Sequence, residues 1–295
     1  MELKSGRITL TLLLAAGAVF LTAPANGQET LRVAGAPTVS LAVSDAADIL
    51  KSEQKITLDI STEGGSSSSG ISKLGINDAD VAMSSRFLTA EDRAQFPNVN
   101  FTEVYFGEEA AALVVSNDVW QSGVHSLTKA QATDIYEQKI RNWKEVGGPD
   151  LPVTGYTPEQ GRSVWACYIQ WLYDDPARIR PNRFATVTSD EEAKGNMEAT
   201  PGSVTTVSML FAIAKNLHRV SIKNADGTIT DPSPASVASH TYPMSRPLLL
   251  VVKGRPLGEI KTMVDFMLSD RGQEFVRKHN YLTLKDLGVA PQTFE

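Results

Sequence analysis

Between residues 63 and 74 the chain reads Glu63-Gly64-Gly65-Ser66-Ser67-Ser68-Ser69-Gly70-Ile71-Ser72-Lys73-Leu74, a stretch that limits what its neighbours can become. A strand-like run, Lys55-Ile56-Thr57-Leu58-Asp59-Ile60, precedes it, and Ile71, Leu74 and Ile76 follow at spacings that suit the buried side of a short helix. Small residues let a backbone come close to a ligand, while hydroxyls and the first free N–H groups of a helix point donors at it. The pattern therefore predicts strand, anion cradle and helix in succession. Two other readings compete for the same residues. A nucleotide phosphate loop needs Gly, four residues, then Gly-Lys-Ser/Thr; Gly65 and Gly70 have that gap, but Ile71-Ser72 replaces the Lys-Ser/Thr pair and excludes it. A flexible Gly/Ser linker fits the composition, and the strand before and helix after count against it.

Lys4 and Arg7 precede an apolar run from Leu10 to Leu21, and Ala23-Pro24-Ala25 forms an A-x-A cleavage site. Residues 1–25 thus read as a secretory signal, with the mature chain expected to begin near Asn26. The run is shorter than the roughly 20 residues that span a bilayer, and no Cys follows it to carry a lipid. The 295 residues less these 25 leave 270, room for one large domain or two ordinary ones, and 42% hydrophobic residues permit a proper core. Cys167, the one cysteine, has no partner for an internal disulfide and sits in a helical pattern with Trp165, Tyr168, Ile169 and Leu172, as a buried thiol does.

The net charge of −6 becomes −7 once Glu2, Lys4 and Arg7 (net +1) are removed. So acidic a chain is a poor partner for nucleic acid or an anionic membrane. An anion would have to be held by local geometry, at helix ends and a few placed arginines.

Along the chain, Leu31-Arg32-Val33-Ala34-Gly35 reads as a strand and Thr38 to Leu50 as a helix; the serine stretch repeats that order, and Asp80-Val81-Ala82-Met83 is a third strand ending at Ser84-Ser85-Arg86. Open α/β sheets bind ligands at the carboxyl ends of their strands, so the three loops are expected to converge. The run Ala110 to Val115 reads as a buried strand bridging to a second lobe, and Leu248 to Val252 as the return crossing. Between them come a helix from Ser126, strands at Pro152–Tyr156 and Gly202–Ser208, an aromatic helix from Trp165 to Trp171, a helix from Ser189 to Met197 and an Asp-Gly turn at Asp226-Gly227. Pro256 to Asn280 reads as helical.

These landmarks resemble the periplasmic phosphate-binding proteins of bacterial ABC-type phosphate transporters. The likeness rests on Gly35-Ala36-Pro37-Thr38-Val39, the serine cradle, Ala79 to Arg86, Leu127-Thr128 to Gly148, Thr200-Pro201-Gly202, and Tyr242-Pro243-Met244-Ser245-Arg246-Pro247-Leu248, in that order over nearly the whole mature sequence. It implies an α/β, two-lobed periplasmic-binding-protein-like fold of type II with a hinge of two crossing strands. Lobe I would comprise residues 26–112 and 249–295, lobe II residues 113–248. The implied function is non-enzymatic: a monomeric periplasmic receptor without cofactor or metal, capturing inorganic phosphate and handing it to ABC transporter membrane subunits. The same fold could instead take sulfate or molybdate, or serve as a ligand-free sensor.

Carried over, the resemblance places Thr38 and the Val39 N–H at the first helix start, and Ser67, Ser68 and Ser69 at the second. Arg86 becomes the clamp from the third loop, because guanidinium binds phosphate oxygens in pairs. In the second lobe Gly161-Arg162-Ser163-Val164 stands where the family shows Gly-Ser-Gly-Thr, so the hydroxyl at Val164 is lost while Arg162 and Ser163 remain as donors. Glu109 stands near a family Asp and is the candidate acceptor for the proton that distinguishes phosphate from sulfate, with Glu108 or Glu63 as alternatives. Each has a plainer reading: Thr38 and Ser67 as helix caps, Arg86 in a surface ion pair. A hydrolase finds little support. No G-x-S-x-G or H-E-x-x-H pattern occurs, and His125, His218, His240 and His279 are scattered.

Overall fold

The computed structural model describes residues 29–64, 66–160, 162–174 and 184–294. The signal segment lies outside these residues. The strands are β1 (Glu29–Gly35), β2 (Ile56–Ser61), β3 (Val81–Ser84), β4 (Phe101–Val115), β5 (Ser126–Thr128), β6 (Thr154–Pro158), β7 (Ala185–Val187), β8 (Ser203–Ser208), β9 (Ser221–Lys223), β10 (Ile229–Thr230) and β11 (Ser245–Lys253). The helices of the first two-thirds of the chain are α1 (Pro37–Gln54), α2 (Ser67–Gly75), α3 (Ala90–Gln95), α4 (Asn117–Gln121), α5 (Lys129–Tyr136) and α6 (Ser163–Tyr173).

One eight-stranded sheet runs β2-β1-β3-β11-β4-β8-β6-β7, and β10-β9-β5 form a small second sheet. Its two wings are built alike: β1, β2 and β3 are parallel, as are β6, β7 and β8, while β4 and β11 run antiparallel between them. β4 belongs to both wings. Its first part, Phe101 to Ala110, pairs with β11, and Ala111 to Val115 pairs with β8.

The core divides along the same line. Val33, Val39, Val43, Leu50, Met83, Val104, Phe106, Leu250, Met263 and Val276 pack on one side of the junction. Leu113, Val115, Ile135, Trp143, Trp165, Ile169, Val207, Met209 and Tyr242 pack on the other. β4 thus feeds both cores.

The serine stretch forms the start of a helix. Ser66 caps α2, its Oγ accepting from the Ser69 N–H at 3.1 Å, and Ser67 to Ser69 make the first turn, which sets aside the linker reading. Ser126 to Thr128 is a strand, not a helix start; Thr128 caps α5 with Gln131 as its reciprocal partner. The helical stretch expected over 256–280 is two helices, Gly258–Leu268 and Asp270–Lys278, because Ser269 ends the first and caps the second by accepting from the Gly272 N–H. The Asp226-Gly227 turn joins β9 to β10, with Gly227 at φ +86.

Close backbone approach holds α2 against the sheet. A methyl group on Gly70 would lie 2.5 Å from the Ala34 carbonyl oxygen and 2.8 Å from Gly35 Cα, both main-chain atoms of β1. Gly70→Ala is therefore expected to push α2 off β1 and to destabilise the fold by about 1–3 kcal/mol. A urea denaturation midpoint equal to wild type would refute the tight packing.

Candidate anion-binding site

The starts of α1 and α2 and the loop after β3 all lie at the carboxyl edge of the parallel strands β1, β2 and β3. Thr38 is the second residue of α1, buried, with Pro37 fixing the helix entry and no side chain capping it. The Val39 side chain is fully in the core, and its N–H donates to the Ala36 carbonyl at 3.1 Å. Ser67 is buried, and its Oγ accepts from the Ser85 N–H at 2.9 Å, tying α2 to the loop after β3. Ser69 turns away, donating to the Glu63 carbonyl at 3.2 Å.

Arg86 leaves the same loop. Its guanidinium grips Asp92 with both terminal nitrogens, the Nη2–Oδ1 contact being 3.0 Å, and Nη2 also donates to Ser68 Oγ at 2.9 Å. Asp92 is the third residue of α3 and closes a capping box with Thr89, so its carboxylate is held by helix and arginine together. The hydrogen bonds from Arg86 pull the Asp92 carboxyl down to about 2. Arg86 is thus aimed by Asp92 and reaches α2 through Ser68.

The second wing presents the start of α6. Ser163 is its first residue, and Arg162 before it pairs with buried Asp190, Nη2 to Oδ1 at 2.7 Å. Asp190 Oδ2 accepts from the Ser208 N–H at 3.1 Å, while Arg162 Nη1 is buried with no partner among the described residues.

Glu109 and Arg246 meet where the wings join. They are directly opposed on the antiparallel strands β4 and β11. Arg246 donates to Glu109 Oε2 through Nε at 2.8 Å and through Nη2. The same Nη2 donates to Thr38 Oγ1 at 2.8 Å and to the Ser163 carbonyl at 3.3 Å. Tyr281 adds a second tie, its hydroxyl donating to the Thr38 carbonyl at 3.2 Å. Three residues expected to share a site, Thr38, Glu109 and Ser163, are therefore gathered around one guanidinium. Ser67, Ser68 and Arg86 form a second group on the neighbouring loops.

Asp92, Asp190, Tyr281, Ser85 and Arg246 were not anticipated as parts of the site. Arg246 had a legible signal: a cation leading an apolar strand, Pro247 to Val252, is rarely buried unless paired. Cys167 lies in the second core with its thiol pushed up to about 12, chiefly by burial and then by Glu109, which fits an inert core residue.

A PBP superfamily domain matches residues 22–271, well over half of the chain. The chain belongs to the PBP superfamily. A curated relative, the phosphate-binding protein PstS of Staphylococcus epidermidis, is 24% identical over 217 residues, which is 69% of this chain but 64% of the relative, just under two thirds of its length. Among solved structures, one from Planctomyces limnophilus aligns over 87% of this chain and 93% of its own with a TM-score of 0.75 and 20% identity. An ABC-type phosphate transport receptor from Vibrio cholerae aligns over 86% and 100% with a TM-score of 0.66 and 22% identity. These likenesses establish the two-lobed PBP fold.

Glu108, beside Glu109, faces differently. It is buried and accepts from the Tyr105 hydroxyl at 2.8 Å. Burial raises its carboxyl from 4.5 to about 7, with the Glu109 charge adding and the bonds from Tyr105 and Ser245 opposing. A raised folded-state value favours the neutral acid, so the stability it brings is complete below the unfolded value and is lost as pH climbs through the folded one. Wild type should lose on the order of 3 kcal/mol between about pH 5 and pH 8 that Glu108→Gln retains. Parallel melting curves for the two proteins across that range would show that Glu108 is not held neutral.

Proposed function

We propose that this chain is an extracytoplasmic receptor that captures inorganic phosphate between its two lobes and delivers it to an ABC transporter. The carrying observation is the meeting of Thr38 and Ser163, from helix starts in opposite wings, at the Arg246–Glu109 pair. Helix starts favour anions by their unpaired N–H groups and dipole, and a receptor needs them to converge from both lobes. The relative's name, a phosphate-binding protein, agrees with that chemistry.

In this reading lobe I comprises residues 26–112 and 249–295 and lobe II residues 113–248, with β4 and β11 as the hinge. Closure about such strands is the usual motion of periplasmic binding proteins. Thr38, Ser67 and Ser68 serve as neutral donors from lobe I, and Ser163 from lobe II, while the donors of Val39 and Ser69 are already engaged by the Ala36 and Glu63 carbonyls. Arg86 and Arg162, each aimed by its own carboxylate, supply charge-assisted bonds. Glu109 supplies the acceptor: its Oε1 is buried with no partner among the described residues, and an acceptor so placed suits an oxyanion that still bears a proton. The protein works as a monomer in the periplasm after removal of residues 1–25, and binding, not catalysis, is its task. Among the described residues no helix is long and apolar enough to cross a membrane.

Isothermal titration near neutral pH should give one phosphate site per chain and little heat with sulfate. Clear sulfate binding with phosphate silent would overturn the phosphate assignment. Separately, Arg86→Ala should weaken phosphate binding by on the order of 100-fold. An unchanged dissociation constant in that variant would remove Arg86 from the ligand set.

A further inference from the structure

Three arginines approach the site, and each is matched by one carboxylate: Arg86 by Asp92, Arg162 by Asp190, Arg246 by Glu109. They differ in what else they reach. Among the described residues Arg86 and Arg162 touch partners of their own wing, whereas Arg246 spans from α1 to α6. It is also the most enclosed, its side chain 17% exposed against 35% for Arg86 and 24% for Arg162.

The surroundings of Arg246 are electrostatically one-sided. Each helix start carries roughly half a positive charge, so the starts of α1 and α6 add about one unit beside a guanidinium that Glu109 merely cancels. That excess favours an anion at this spot. The hydrogen bonds leave a donor for it. Arg246 engages its neighbours through Nε and Nη2, while Nη1 has no partner among the described residues and is not one of the sealed, unpartnered atoms. Glu109 is the complement: Oε2 takes both bonds from Arg246, and Oε1 is sealed and unpartnered.

We propose that Arg246 is a further ligand-binding residue, its Nη1 donating to the bound oxyanion while Nε and Nη2 hold Glu109 in position as the acceptor for that anion's proton. This rests on the reading of the site as an oxyanion receptor. The pair then reads two properties at once, since the guanidinium answers to charge and the carboxylate to protonation. Its place on the two hinge strands also makes the contact to Ser163 depend on the angle between the wings. A ligand that draws Arg246 toward itself therefore acts where closure is decided.

The test titrates wild type, Arg246→Lys and the double variant Arg246→Gln/Glu109→Gln with inorganic phosphate, sulfate and molybdate by calorimetry, with a thermal melt of each protein. The lysine keeps the charge beside Glu109 but loses the fork. The double variant removes both charges, so neither is left buried alone. Phosphate affinity is expected to fall by at least about tenfold in Arg246→Lys and by on the order of 100-fold in the double variant, with cooperative melts in both. Unchanged dissociation constants alongside lowered melting temperatures would make Arg246 a strut and overturn the proposal. If wild type binds sulfate or molybdate and not phosphate, the phosphate reading falls, and the same variants are scored against that ion: loss supports the role of Arg246 and unchanged affinity overturns it. No heat from any of the three with wild type overturns both readings.

Discussion

The ion pair between Glu109 and Arg246 is the contact on which the arrangement of the two wings depends. It joins opposed positions of β4 and β11 at the point where one core ends and the other begins. Removing two charges from water costs several kcal/mol per ion, and their attraction returns that only with good geometry and further bonds. Here the further bonds go to Thr38 and Ser163, one in each wing. The pair is better understood as fixing an orientation than as adding stability. Its register is equally constrained, because a one-residue slip of β11 against β4 would turn Arg246 to the face opposite Glu109.

Around that pair the molecule solves a problem set by its own charge. A chain of net charge −6 repels anions at long range, so selectivity has to come from short-range donors. Helix starts supply partial positive charge without any net charge, and each arginine is neutralised by a carboxylate that also aims it. Asp92 does this from the first turn of α3 and Asp190 from the first turn of the helix Asp190–Ala199. Gly70 has a humbler part in the same design, since only a residue without a side chain lets α2 sit against β1 closely enough to bring Ser67 to Ser85.

How much of this was legible varies with the range of the interaction. The cradle at Ser66 to Ser69, the strands flanking it, the bridging run at Ala110 to Val115 and the return crossing at Leu248 to Val252 follow from local periodicity and turn chemistry, which act within a few residues. The break at Ser269 was missed because the apolar spacing continues across it, and only the capping hydroxyl marks the boundary. The strand at Ser126 to Thr128 was missed because Thr128 carries a genuine helix-start signal, and pairing with β9 claims the residues just before it.

By itself the sequence determined the order of strands and helices, the small, hydroxyl-rich character of the loops after the first three strands, and the likeness to a two-lobed receptor, since each is written in short-range pattern. Which charges meet was decided by the tertiary structure. Arg246 lies 137 positions from Glu109 and 208 from Thr38 along the chain, and no local rule pairs residues so far apart. The register of β4 against β11 makes that pairing, and the packing of two separate cores about one shared strand brings Ser163 to it.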